Sequence, residues 1–174
     1  SGIATVTKAT GVVQATKFCG DGSCLTGISA GFEPDDQENL VAGTGAGAAK
    51  DSDTCFNIML GCNAGAALCA GDHNLFLGCN TGCLLTSGSN NLMIGKCAGR
   101  CITTGTYNIA LGIAAMSGGT ATGDDNIALG QFSGSSLGAG SNNIMIGQKA
   151  GCSYVGYNKT IFIGYYSGKN VTGN

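Results

Sequence analysis

The chain has 174 residues, of which 32 are glycine, one is proline and none is tryptophan; only 10% are charged and the formal net charge is −2. Scattered charge with no basic stripe gives nothing to neutralise phosphates, which argues against nucleic-acid binding, and no apolar run approaches the ~18 residues of a membrane helix. Glycine at this level suggests a linker until the 43% apolar content is weighed, because the apolar residues recur at fixed phase and so specify an ordered chain rich in tight turns.

The N-terminal stretch, residues 1–38, reads as an extended β segment and connector. Ile3 to Thr10 and Val12 to Phe18 are rich in β-branched residues with partial alternation. Cys19-Gly20-Asp21-Gly22-Ser23-Cys24 is a turn signal, and Cys19 and Cys24 are candidates to close it with a disulfide. Pro34 and the acids Glu33, Asp35, Asp36 and Glu38 mark the connector. Ser1 in place of an initiator Met is read as the start of a processed chain or of a segment of a longer one, and the charged-then-apolar layout of a signal peptide is not seen.

From residue 39 to 174 the chain repeats itself. Asn57-Ile58-Met59-Leu60-Gly61 returns as Asn74-Leu75-Phe76-Leu77-Gly78, and again with Asn91, Asn108, Asn126 and Asn143 at its head. The closing glycines fall at 43, 61, 78, 95, 112, 130, 147 and 164, a step of 17 or 18 residues. A second glycine follows four residues later in most repeats (Gly65, Gly82, Gly99, Gly134, Gly151, Gly168); the repeat after Gly112 departs, with Met116 at that place. Short apolar strands between turns at fixed offsets describe an all-β chain, a β-solenoid or β-roll of about eight 17-residue coils. No coil offers an uninterrupted helix-forming run, which excludes helical repeats.

In-register stacking puts like positions of successive coils about 4.8 Å apart. The columns headed by Ile58 and by Leu60 are expected to face inward, as the two aliphatic columns of one strand face. The residue between them is then expected outside: Val41, Met59, Phe76, Met93, Ala110, Ala128, Met145 and Phe162. This would be an apolar stripe roughly 35 Å long, of the kind that marks an interface, so these eight residues are the candidate contacts of a symmetric homo-oligomer. The column Asn57, Asn74, Asn91, Asn108, Asn126 and Asn143 is read as a structural amide ladder that also caps turn backbone.

Repeats of the form Asn-apolar-x-apolar-Gly-x-x-Ala-Gly, followed by a Thr/Ser-Gly turn, resemble those of bacteriophage tail fibres and of the heads of trimeric autotransporter adhesins. The segment 18–28, from Phe18 to Ile28, is similar to a motif frequent in phage fibres, especially those of cyanobacterial phages. The resemblance implies a homotrimeric, elongated fibre segment used in host attachment, on a virion or otherwise extracellular. The adhesin repeat is a little shorter than 17 residues, which favours the fibre.

No enzyme is expected. His73 is the only histidine and reads as a loop residue. The spacings Cys79 to Cys83 and Cys97 to Cys101 are loose for zinc and fall at different phases of their coils. Cys62 and Cys79 share one phase in adjacent coils, which suits either a disulfide or two small buried apolar residues. Gly43-Thr44-Gly45-Ala46-Gly47 lacks the Lys-Ser/Thr of a phosphate loop. No cofactor and no metal is expected. The partners expected are further copies of the chain, as a homotrimer and stacked end to end, together with a cell-surface glycan met by the loops 66–70, 83–87, 100–104, 117–122, 135–139 and 152–155. A bacterial extracellular adhesin or self-assembling surface filament is the alternative, since 171–174 matches the lead-in to a further coil.

Overall fold

The computed structural model describes residues 34–119, 121–153, 156 and 158–169. Of the N-terminal segment, residues 34–38 are described; the turn with Cys19 and Cys24 lies outside the described residues.

Each repeat contributes one strand of three residues: β1 (Leu40–Ala42), β2 (Ile58–Leu60), β3 (Leu75–Leu77), β4 (Leu92–Ile94), β5 (Ile109–Leu111), β6 (Ile127–Leu129), β7 (Ile144–Ile146) and β8 (Ile161–Ile163). They form a single parallel sheet in sequence order, every pair in strict register, so that Met59 lies beside Phe76 and Phe76 beside Met93. The fold is an all-β solenoid with coils of about 17 residues, and no helix occurs among the described residues. Coil-to-coil hydrogen bonds continue beyond the strands: the Asn63 N–H donates to Thr44 O (2.9 Å) and the Gly65 N–H to Thr81 O (2.9 Å).

The corners need positive φ. Gly61 closes β2 at φ 134°, and a Cβ there would lie 2.5 Å from Gly78 O of the next coil. Only glycine fits both the dihedral and the approach.

The interior reverses the expected faces. Met59, Phe76, Met93, Ala110, Ala128 and Met145 are fully buried, while Val41 and Phe162 in the end coils are half-buried and pack on the same core. These eight residues are therefore core and not an oligomer contact. The columns headed by Ile58 and Leu60 face outward instead. The physical reason is strand alternation: Asn57 and Met59 are two residues apart and share a face, and the coil is narrow. Its lumen takes one Asn, one strand side chain, one small residue from the column of Ala64, Thr81 and Ala98, and one aliphatic from the column of Leu68, Leu85, Ile102 and Leu137. Two aliphatic columns from a single strand leave no room for these. The loop residues Leu68, Leu85, Ile102 and Leu137 were expected among surface loops, and each instead tucks under the coil as an anchor.

The irregular repeat now has a cause. Gly65, Gly82 and Gly99 lie against the inward Met or Phe; a Cβ at Gly99 would come within 2.1 Å of the Met93 sulfur. The same phase holds Met116, whose N–H donates to Ser133 O (2.9 Å) as that of Gly99 does to Ala115 O (2.8 Å). Its coil carries Ala110 and the next Ala128 where the others carry Val, Met or Phe. Met116 is buried in the same cluster and fills the volume that the two alanines leave.

Candidate functional site

Inside the stack, the asparagines form one continuous ladder. Asn57 Nδ2 donates to Asn39 Oδ1 (3.0 Å) and to Gly71 O (2.9 Å), and Asn57 Oδ1 accepts from the N–H and the Nδ2 of Asn74 (2.8 and 3.0 Å). The backbone N–H of each of Asn91, Asn108, Asn126 and Asn143 likewise donates to the Oδ1 of the rung before it, as does the side-chain amide of Asn91, Asn126 and Asn143, and all four are buried. Both ends are finished by other residue types. Asp35 Oδ1 takes the place of the missing rung below Asn39, accepting its N–H (2.9 Å) and its Nδ2 (3.1 Å), and Thr160 above donates its N–H to Asn143 Oδ1 (3.0 Å). Asn39 and Thr160 head the weaker flanking copies of the repeat and were not counted in the ladder column, and Asp35 lies before the first copy, in the connector. Buried and saturated, the ladder offers no group to a ligand and is structural.

Outside, the sheet presents two aliphatic columns. One runs Leu40, Ile58, Leu75, Leu92, Ile109, Ile127, Ile144 and Ile161; the other runs Ala42, Leu60, Leu77, Ile94, Leu111, Leu129, Ile146 and Ile163. None of the sixteen is buried, and Ile161 and Ile163 are 64% and 66% exposed. A parallel sheet normally has both faces covered. Among the described residues, this one is buried on its inner face, and its outer face is apolar along the whole stack.

A third surface lies just past the strands, in a column of left-handed residues. It runs Gly45, Asn63, Asn80, Cys97, Ala114, Phe132, Lys149 and Tyr166, all at φ between 54° and 72°. At its C-terminal end Phe132, Ser135, Lys149, Cys152, Tyr166 and Lys169 line an open groove of about 460 Å³. Lys149 Nζ donates to Tyr166 Oη (2.5 Å), and Lys169 Nζ stands 4.5 Å from the centre of the Tyr166 ring. The shared hydrogen bond holds the Lys149 ammonium above its ordinary pKa and the Tyr166 phenol below its own.

The described cysteines do not converge on chemistry. All eight described cysteines are free thiols; Cys62 is exposed and Cys79 half-buried on adjacent coils, with the Asn80 N–H on Cys62 O. Cys62 and Cys79 therefore form no disulfide, and the alternative reading of them as small buried residues is corrected too, because their column lies outside the lumen. Burial pushes the Cys83 thiol up, against the nearby Arg100 that pulls it down, so it is no activated thiolate. Among the described residues no three His, Cys, Asp or Glu side chains gather as a metal site. His73 is exposed and stacks on Phe56, ring centres 5.0 Å apart.

No protein-family model, no curated protein and no solved structure matches the chain.

Proposed function

We propose that the chain is a structural fibre protein, a homotrimeric β-solenoid segment of a bacteriophage tail fibre that serves host attachment from the virion. The observation that carries this reading is the outer apolar face of the sheet, sixteen side chains in two columns. The strip is about 34 Å long and about 7 Å wide, from the strand and interstrand spacings. Its partner must present apolar groups at the same rise per coil, and a second copy of the chain does so by construction. Three narrow strips turned toward a common axis cover one another along their whole length and leave the turns and loops outside. Burial of this face converts a stack of short, separately weak strands into a stiff rod, which is what an attachment fibre requires.

Sedimentation equilibrium of the purified chain tests the assembly: a trimer is expected, and a monomer at micromolar concentration overturns it. Immunogold electron microscopy of the native particle tests the fibre. Label on a tapered virion appendage is expected; label on a long uniform filament of a bacterial surface overturns the viral reading in favour of an adhesive filament.

A further inference from the structure

We propose that the groove on the last three coils binds an acidic saccharide, with Lys149 and Lys169 meeting its carboxylate or sulfate and Phe132 and Tyr166 meeting the apolar face of a sugar ring. The proposal rests on the attachment reading above and gives that attachment a ligand class.

Three independent features of the molecule converge on this groove. The first is charge. No acidic residue occurs from 126 to 174, whereas Lys149, Lys159 and Lys169 do, so an anion there meets no carboxylate of its own segment. Two lysines in one groove suit a single anionic group and are too few to track a phosphate backbone. The second is shape and composition. The cavity of about 460 Å³ combines aromatic faces with the hydroxyl of Ser135 and two ammonium groups, the mixture of apolar wall and few polar anchors that small-ligand sites use. Phe132 is 37% exposed, an aromatic face left open to solvent.

The third is backbone strain. The left-handed column is filled in its early coils by Gly45, Asn63 and Asn80, the residue types that adopt positive φ most readily. In the last three coils the same place holds Phe132 at φ 58°, Lys149 at 59° and Tyr166 at 55°. A bulky side chain in this region is strained, as it also is at Phe56, Tyr107 and Met116; what sets this column apart is that three such residues follow one another beside a groove, where strain can serve a ligand. Stacking fixes the three about 4.8 Å apart in succession, a spacing that lets one sugar ring span two coils. In the trimer, three such sites would act together by avidity.

The test uses the full chain and converts the column back to the pattern of its early coils: Phe132→Asn, Lys149→Asn and Tyr166→Asn, singly and together. Binding is read by isothermal titration and by saturation-transfer NMR with three probes. These are a heparin-derived tetrasaccharide (sulfate), an oligogalacturonate of equal length (carboxylate) and a neutral cello-oligosaccharide; inorganic sulfate is titrated beside them. The expected result is binding of one or both acidic saccharides at least tenfold tighter than of the neutral one and of free sulfate. Which acid binds better distinguishes carboxylate from sulfate as the natural group. The triple variant is expected to lose at least tenfold in affinity while melting no lower than the parent. Lys169→Gln, outside the strained column, is expected to weaken binding as well. Absence of acidic-saccharide binding overturns the proposal, as does binding that survives the triple variant, or free sulfate bound as tightly as the sugar. None of these results bears on sedimentation or on the labelled particle, so the fibre reading stands or falls separately.

Discussion

Asn74 directs both its backbone N–H and its side-chain Nδ2 to one atom, the Oδ1 of Asn57, at 2.8 and 3.0 Å. Its remaining amide hydrogen goes to Gly88 O at 2.9 Å, and its own Oδ1 serves Asn91 in the same way. The buried amide thus has every donor and its oxygen satisfied, and no buried side-chain polar atom among the described residues is left without a partner. A ladder of this kind fixes register, because a slip by one residue would leave every rung unmatched. Asn74→Leu removes one rung and orphans groups on both neighbours, so we expect a loss of roughly 3 kcal/mol, from ~1–3 kcal/mol per buried unsatisfied group. Asn63→Gly is the control: its amide bond to Asn80 is exposed and glycine suits φ 54°, so a change within about 0.5 kcal/mol is expected. Urea unfolding of both variants decides, and equal effects would remove the ladder from its structural role.

Met116 and the alanines at 110 and 128 should be energetically coupled. Ala110→Met alone overpacks the lumen, at about 1–3 kcal/mol. Met116→Gly alone opens a cavity, at about 2–5 kcal/mol. Together they recreate the Met-over-Gly arrangement of Met93 and Gly99. The double variant should be more stable than the sum of the single changes by at least about 1 kcal/mol in a double-mutant cycle. Strict additivity would show that Met116 does not fill that space.

Adjacent residues of β4 should respond in opposite ways to the same substitution. Met93 is buried and Ile94 is 36% exposed. Met93→Lys places an unpaired charge in the lumen and should abolish the cooperative melt followed by circular dichroism. Ile94→Lys should leave the spectrum of the monomer intact and shift the sedimenting species from trimer to monomer. If Ile94→Lys sediments as the parent does, the outer columns are not the contact.

Acid should loosen the first coil before the rest. Burial pushes the Asp35 carboxyl up, but this is outweighed by the Lys50 ammonium at 2.8 Å and by the N–H groups of Asn39 and Gln37, so its pKa lies below 3.8. A depressed carboxylate contributes stability that is present above the unfolded value near 3.8 and lost as pH falls through the folded one. Amide exchange at Asn39 and Asn57 should therefore accelerate, relative to that at Asn108 and Asn126, once the pH drops well below 3.8. In Asp35→Ala the same difference should already exist at neutral pH. Uniform acceleration along the stack would show that Asp35 does not cap the ladder.

Periodicity carried most of the architecture. The glycine spacing located all eight strands, and the aligned columns gave the in-register parallel sheet, because in a solenoid each coil pairs with the next and sequence phase becomes spatial register. The buried aliphatic column of Leu68, Leu85 and Ile102 was also present at the same step, hidden because its neighbours vary and look like loop. Lys149 and Tyr166 could be placed in the left-handed column only once bulky residues at positive φ were visible, and dihedrals are not written in composition.

What the sequence by itself determined is the coil: its length, its corners and the asparagine that recurs from coil to coil. What only the tertiary structure decided is which way the strand faces. Three consecutive apolar residues fit either parity, so Ile58, Met59 and Leu60 alone do not say which of them is inside. The choice is made by the lumen, which must also hold Asn57 on the same face as Met59 and Leu68 from across the coil. That leaves room for one strand side chain and sends Ile58 and Leu60 outward.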